Sequence, residues 1–427
     1  MENNKKKLKI GLIGLGTVGS GVYKTLQGNN LVEICKIAVK NINKPRNIDG
    51  LDRALLTDNP YDVVNSDVDI VVELIGGIEP AFDLIKTAIA NGKHIVTANK
   101  ELLAKCGEEL FNFAEEHNKV VLYEAAIAGG IPIIMPIKTI LAGNKITHIE
   151  AILNGTTNYI LTKMDADGAS YEDVLKEAQE LGYAETDPTG DVEGFDAAYK
   201  ITTLSTLAFR KRIKLDKVYR EGITKVRAED MKIANELGYK IKLIASAYMD
   251  DKGRADVRVH PMLVSKESTL SHIDYVKNAV SLKGHPVGHI TLSGPGAGEF
   301  PTASSVVGDI LAIAKEWGTT DYLLPMMRCN HSETAEVIDI LDTENKYYLS
   351  INATNKMGVI GIIGHVCEEN NISVACILQR GLKDNNTADI TVITEVCKER
   401  DIRRAIEQFN QSDCINKVNS LIRVQQG

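Results

Sequence analysis

The sequence predicts an α/β fold: a doubly wound parallel sheet, then an α+β region, then a C-terminal β-α-β-β-α-β unit. Three observations carry this. From Leu8 to about Tyr123, apolar runs rich in Val and Ile alternate with helical patterns. After Ile131-Pro132, with Pro136 close behind, the pattern changes to helices followed by a series of strands. From Tyr347 a new strand–helix–strand series begins. Near-continuous apolar strands are buried on both faces, and their alternation with helices implies parallel pairing.

The elements follow in order. LKIGLIG is the first strand and 17–29 the first helix. VEICKIAV, DIVVELIGG, KHIVTA and KVVLYEA are further strands, with helical patterns at 81–91 and 105–117. The stretch HIEAILN is a strand, helices follow at 171–181, 195–209 and 227–237, and YKIKLIASAYM, DVRVHPMLV and HITLSG form a largely antiparallel set. SGPGAGEFPTASS is a glycine-rich turn into an apolar helix, 306–317, that can return to the first domain, and 319–345 is a linker. In the tail YYLSINAT, a helix at 359–370, ISVACILQR, ADITVITEV, a helix at 399–411 and INKVNSLIRV give the ferredoxin-like order. The expected domains are 1–132 completed by 305–335, 133–304, and 346–427.

Composition bounds the function. The 427 residues match about three domains at roughly 150 each. Lys and Arg number 49 against 57 Asp and Glu, a net charge of −8. That disfavours nucleic acid or an anionic membrane as the main partner. No apolar run is long enough for a transmembrane helix. Lys5-Lys6-Lys7 before LKIGLIGLG mimics a signal peptide, but Lys9, Gly11, Gly14, Gly16 and Gly19 interrupt the apolar stretch. Seven scattered cysteines without a CxxC suggest neither disulfides nor zinc, so a reducing cytoplasm is the expected home.

Gly14-Leu15-Gly16-Thr17-Val18-Gly19 follows a strand and opens a helix. The first glycine allows the tight turn, the second lets the backbone approach a pyrophosphate, and the third lets helix and strand pack closely. This Rossmann context predicts a dinucleotide cofactor. NAD-type domains carry an acidic residue about 20 residues on. Here the second strand ends at Lys40-Asn41 with Lys44 and Arg46 after it, which suits an adenosine 2′-phosphate and favours NADP, with NAD also open. The alternative is a solvated basic loop. Gly76, in the glycine pair that closes DIVVELIGG, and Thr97, near the end of KHIVTA, join the expected cofactor site, and Lys100 completes the TANK segment at that same ligand-binding edge.

The densest chemical feature is GYAETDPTGDVEGFDAAYK, Gly182 to Lys200, with five carboxylates between Glu185 and Asp196. Crowded like charges need a cation among them. A calcium loop is one reading, though the spacing is not that of an EF-hand. An ammonium-bearing substrate held by Glu185, Asp191 and Asp196 is the other. Asp196 and Lys200 fall at i, i+4 on one helical face. Such a pair is either a surface ion pair or part of a site.

These residues resemble the homoserine dehydrogenase family. The resemblance rests on GLGTVGSG, TANKELLA, YEAAIAGGIPII, LNGTTNYIL, GYAETDPTGDVEGFDAAYK and GPGAGEFPTASSVVGD, in family order from about 8 to 320. It implies reversible hydride transfer between L-homoserine and L-aspartate 4-semialdehyde in threonine, methionine and isoleucine biosynthesis. Lys200 then matches the proposed proton donor, Lys100 is the neighbouring lysine and rival donor, and Glu185 matches the ligand of the substrate ammonium. Gly182 and Gly298 line the cofactor. YEAAIAGGI resembles a monovalent-cation site, with sodium held by the Glu124 carboxylate and the carbonyls of Ile127, Gly129 and Ile131, although a plain glycine turn reads as well. The middle region would bind substrate and form the dimer interface. The tail resembles an ACT regulatory domain through NKMGVIGIIGHVCEENNISV, with an amino-acid effector such as threonine near 355–359 and a homodimer or homotetramer as the assembly.

Two other readings stand beside this one. Aspartate-semialdehyde dehydrogenase would need an activated thiol, and Cys106 is the candidate. A non-catalytic amino-acid sensor would use the first domain only as a scaffold.

Overall fold

The structure, a computed structural model, describes residues 7–317, 331, 333–379 and 387–426. The first part of the expected linker, 319–330, and Arg380 at the end of ISVACILQR lie outside the described residues. The chain divides into two units. One comprises Met1–Gly155, Asp196–Asp216 and Val276–Ala335, the other Thr156–Phe195, Lys217–Tyr275 and Glu336–Gly427.

In the first unit β1 (Leu8–Ile13), β2 (Val32–Ala38), β3 (Leu56–Thr57), β4 (Ile70–Glu73), β5 (His94–Thr97) and β6 (Val121–Leu122) form one sheet in the order β3-β2-β1-β4-β5-β6. All neighbours are parallel. The strand order reverses between β1 and β4, and ligands bind beyond the carboxyl ends of the strands at such a point. α1 (Thr17–Leu26) follows β1. The helix Glu299–Glu316 packs against α1 so closely that a side chain on Gly21 would lie 2.7 Å from the Glu299 carbonyl. Its Ala303, Val306 and Ile310 share one buried cluster with Ile10, Leu12 and Val22.

Several elements differ from the sequence reading. The helix after β5 begins at Lys100, not at 105, because the Asn99 side chain accepts from the Leu102 N–H at 3.1 Å and caps it. KVVLYEA contributes only Val121–Leu122 as strand, since Glu124 leads into the short helix Ala125–Ala128. The helix read from 306 begins at Glu299. Pro301 is tolerated in its first turn, where the missing N–H would have no intrahelical acceptor. An unanticipated strand, Lys277–His285, pairs antiparallel with both Lys145–Ile152 and Gly288–Pro295.

In the second unit the hairpin Tyr239–Met249 and Ala255–Ser265 is antiparallel. The helix Gly155–Asp167, absent from the sequence reading, buries Thr157 through Thr162 and Met164, so it presents no polar stripe to betray its period. The tail strands lie in the order Ile415–Val424, Glu344–Thr354, Thr387–Thr394, Val374–Gln379, with antiparallel neighbours. Helices Val359–Glu369 and Glu399–Asn410 complete the β-α-β-β-α-β order, and Ile351, Ile363, Ile390, Ile402 and Phe409 share one core. Ile415–Val424 also pairs, in parallel, with Ala255–Ser265 at Met262 and Leu263, so the tail sheet continues into the hairpin. No described helix is long and apolar enough to cross a membrane.

Candidate active site

The glycines of the first βα turn divide their work by geometry. Gly14 has φ +106°, and a side chain there would lie 2.9 Å from the Leu74 carbonyl. One on Gly19 would lie 2.2 Å from the Gly14 carbonyl, so helix and turn touch. Gly16, by contrast, has nothing within 4 Å of a built Cβ and stands at the N-cap of α1 without a side-chain cap. That open cradle, facing free helix N–H groups, fits the pyrophosphate of a dinucleotide. Lys40 is exposed just past β2. Arg46 folds back on the loop itself, donating to the carbonyls of Asn41 at 2.8 Å and Lys44 at 3.0 Å.

Glu73, not singled out by the sequence reading, ties this edge together. It is fully buried at the end of β4. Its Oε1 accepts from Ile75 N at 2.8 Å and Gly76 N at 3.0 Å, and its Oε2 from the Thr97 hydroxyl at 2.6 Å. Thr97 accepts in turn from Asn99 N at 3.0 Å, and the Asn99 amide donates to the Gly77 carbonyl at 2.6 Å. One carboxylate therefore fixes both the Gly76–Gly77 turn, whose φ values are +71° and +72°, and the start of the helix that carries Lys100. The available signal was a carboxylate closing an otherwise apolar strand at the ligand-binding edge.

Asp196 is buried between two lysines. Its Oδ2 accepts from Lys200 Nζ at 2.7 Å and from the Asn154 amide at 2.9 Å, while Oδ1 is ion-paired with Lys100. Lys200 Nζ also donates to the Leu153 carbonyl at 2.7 Å. Burial alone would raise the Asp196 carboxyl, but Lys200 and Lys100 outweigh it and hold the group well below the usual carboxylate range. The Lys200 side chain is 10% exposed and that of Lys100 44%. Lys100 opens its helix, and Lys200 is in the second turn of Phe195–Phe209. Two ammonium groups flank one carboxylate near the N-termini of two helices, an arrangement suited to an oxygen that gains electron density.

The other acidic residues of the segment belong to the second unit. Glu185 is exposed in the second unit, in the segment after the helix Tyr171–Glu180 that also contains Gly182. Asp187 turns back to the Thr189 N–H at 3.1 Å, and Asp191 sits in the helical turn Thr189–Val192. Among the described residues no group of three or more His, Cys, Asp or Glu is arranged to hold a metal ion. Gly298 has φ +114° and precedes the helix Glu299–Glu316.

Around Glu124 the expected cation ligands are only partly available. The carboxylate accepts from the N–H groups of Ile133 (2.5 Å), Ile134 (2.7 Å) and Met135 (2.7 Å), capping the helix Ile134–Lys138. The Gly129 carbonyl accepts from the Ser305 hydroxyl at 2.6 Å. Backbone carbonyls at Ile127, Gly129 and Ile131 remain a hard, all-oxygen donor set.

Cys106 lies within the helix Lys100–Glu116. Burial, then the charge of Glu109, pushes its thiol up, the opposite of what an activated nucleophile needs.

Comparison with known proteins identifies the family. A family model described as the NAD binding domain of homoserine dehydrogenase matches residues 14–124, and one described as homoserine dehydrogenase matches 132–311. The homoserine dehydrogenase of a Synechocystis strain is 42% identical, over 98% of this chain and 99% of its own length. The crystal structure of a homoserine dehydrogenase from Thiobacillus denitrificans has a TM-score of 0.92 at 39% identity, covering 99% of both chains. A hyperthermophilic archaeal homoserine dehydrogenase in complex with NADPH has a TM-score of 0.63 at 28% identity, covering 73% of this chain and 99% of its own. The chain belongs to the homoserine dehydrogenase family, NAD(P)-dependent oxidoreductases that act on a CH–OH group.

Proposed function

We propose that the chain interconverts L-aspartate 4-semialdehyde and L-homoserine, using NADP(H) in preference to NAD(H). The observation that carries this is the Lys100–Asp196–Lys200 cluster, with Lys100 immediately past the cofactor edge of the sheet. The bound nicotinamide supplies or accepts the hydride. In the reducing direction the aldehyde oxygen gains charge, which the two ammonium groups and the helix N-termini stabilise. Lys200, held by Asp196 and the Leu153 carbonyl, gives that oxygen its proton. Lys100 holds the other side of Asp196 and keeps the carboxylate oriented. Glu185 and Asp191 take the substrate ammonium. Gly14 to Gly19, Lys40, Gly76, Thr97, Gly182 and Gly298 hold the cofactor.

A sodium ion is held by the carbonyls of Ile127, Gly129 and Ile131 together with the Glu124 carboxylate, which also receives the N–H groups of Ile133, Ile134 and Met135. The tail is an ACT domain that binds an amino-acid effector such as threonine and brings copies of the chain together. A cavity of about 120 Å³ lined by Thr354, Asn355, Lys356, Gly358 and Gln379 supports the effector reading. Exposed Met357, Ile360 and Ile362 beside it support pairing of tails.

The test is homoserine oxidation followed by NADPH absorbance, with both cofactors. Lys200→Met is expected to keep cofactor binding and lose about 10²–10⁴-fold in kcat. A wild-type chain without homoserine-dependent turnover would refute the proposal.

A further inference from the structure

Asn278 is the second residue of the strand Lys277–His285, in the first unit. On one side, its neighbour Ala279 lies opposite Ile152, the last residue of Lys145–Ile152. That chain runs on into Leu153, whose carbonyl accepts from Lys200, and Asn154, whose amide donates to Asp196. On the other side, Asn278 lies opposite Gly294. That strand leaves the sheet at Pro295 for the turn Gly296–Gly298, which precedes the helix Glu299–Glu316. Asn278 therefore stands between the stretch that holds Lys200 and the turn that leads to Gly298.

The turn has no slack at its contacts. A side chain on Gly296 would lie 2.1 Å from Asn278 Cγ and 2.5 Å from its Oδ1. A side chain on Gly129 would lie 2.2 Å from the Gly296 carbonyl, and Gly130 N donates to the Pro295 carbonyl at 3.1 Å. The turn thus touches both the Asn278 amide and the Gly129–Gly130 backbone. Just beyond it, Glu299 pairs with Lys24 of α1 at 2.7 Å, which ties the turn to the helix that opens the pyrophosphate cradle.

An acceptor and two donors are open here. Asn278 is 1% exposed, yet its Oδ1 has no hydrogen-bond partner. Among the described residues, the N–H groups of Ala297 and Gly298 meet no backbone acceptor. An unpaired buried acceptor is a net cost that an apolar residue of similar size would avoid. Beside a glycine turn with open donors, it is an unfinished hydrogen bond.

We propose that Asn278 is a positioning residue for hydride transfer. When the cofactor is bound the turn draws in, and the Ala297 N–H donates to Asn278 Oδ1. That bond fixes Gly298 relative to Leu153 and Asn154, and so sets the bound cofactor against the Lys200–Asp196 pair. Reaction rate is steep in such placement, a shift of about 1 Å costing about 10²-fold. The inference rests on the proposed cofactor role of Gly298 and on the proposed reaction.

The test uses the full chain and three variants. Asn278→Leu and the double variant Asn278→Ala/Gly296→Ala fill the space without an acceptor, and Asn278→Asp keeps the shape and an acceptor. The first readout is hydrogen–deuterium exchange of the 297–299 backbone with and without NADPH, which needs no turnover. NADPH should slow exchange in the wild type and Asn278→Asp, and slow it less in the two variants that lack the acceptor. The second readout is oxidation of homoserine deuterated at the reacting carbon. The variants without the acceptor should lose about ten- to a hundredfold in kcat. Their primary isotope effect should rise, with KM for homoserine near that of the wild type and no matching loss of melting temperature. Asn278→Asp should recover most of the lost kcat. Two results overturn the inference. One is wild-type protection and kcat in either variant without the acceptor. The other is an equal loss in Asn278→Asp, which reduces Asn278 to a structural residue. A wild-type chain that binds NADPH but does not turn over homoserine refutes the proposed reaction instead, and the exchange readout still decides on Asn278.

Discussion

Lys100 and Lys200 meet on the two oxygens of a single carboxylate, Asp196. The lysines come from different helices, so Asp196 sets their separation as well as their charge. Asp196→Asn removes the carboxylate charge that both ammonium groups share. Breaking a buried ion pair from one side costs about 3–5 kcal/mol. The variant should melt several degrees lower and lose most of its kcat, checked by thermal unfolding and steady-state assay. Wild-type kcat in a folded Asp196→Asn would remove Asp196 from the chemistry.

Glu73 organises the cofactor edge through uncharged donors only. In Glu73→Gln one acceptor remains for the Ile75 and Gly76 N–H groups, while the new amide N–H₂ faces the Thr97 hydroxyl. The expected cost is about 1–3 kcal/mol of stability. Because the Gly76 turn loosens, KM for NADPH should rise several-fold more than kcat falls. An equal effect on both would point to a purely structural role.

Asp309, fully buried beneath Glu124, has its carboxyl pushed up to about 8 by burial and then by the Glu124 charge. In the unfolded chain it ionises near its ordinary value of 3.8. Below that value both states hold the proton and the shift costs nothing. As pH rises from about 4 towards 8, the unfolded state ionises while the folded state does not. This group's share of stability therefore falls across that window, by at most about 1.4 kcal/mol per pH unit, and levels off above 8. Asp309→Asn keeps an acceptor for the Glu124 N–H and removes the titration. Thermal unfolding at pH 5 and pH 8 should show the variant losing less stability between them than the wild type, and equal losses would exclude the effect.

Lys40 is exposed just past β2, and the proposed NADP preference rests on its meeting the adenosine 2′-phosphate. Lys40→Asp should lower kcat/KM for NADPH relative to NADH by at least about tenfold, one charge-assisted contact being worth roughly 1.5–3 kcal/mol. The ratio of the two kcat/KM values is the measurement, and an unchanged ratio rejects the NADP assignment of this loop. Arg46 is a weaker candidate for the same role, because its guanidinium already closes the loop on Asn41 and Lys44.

Much of the fold is legible in the residues because its cause is local. Strands buried on both faces must be apolar throughout, so β1, β4 and β5 announce themselves as Val and Ile runs. The tail helix Glu399–Asn410 carries a one-sided apolar pattern, with Ile402, Ala405 and Phe409 turned into its core. Gly14 and Gly19 are legible because no other residue fits their backbone contacts. Less legible were Gly155–Asp167, buried nearly all round, and Lys277–His285, whose Lys, Asn and Ser residues dilute its strand signal. The start of the helix at Lys100 depended on the Asn99 cap, a weak signal beside the apolar periodicity that began later.

The strand–helix alternation of the first sheet, the strand and helix order of the tail, the glycine turn for a dinucleotide, and the pairing of Asp196 with Lys200 one helical turn away are all readable in the residues. Those features follow from bond geometry and the 3.6-residue repeat, which operate within a few residues. Packing of the folded chain is what makes Lys100 share that carboxylate, sets Glu73 at the cofactor edge, and turns the Glu124 carboxylate into a helix cap. Lys100 and Asp196, like Glu73 and Thr97, lie far apart in the chain, and Glu124 reaches past its own turn to Ile133; burial, which removes competing water, gives these contacts their strength.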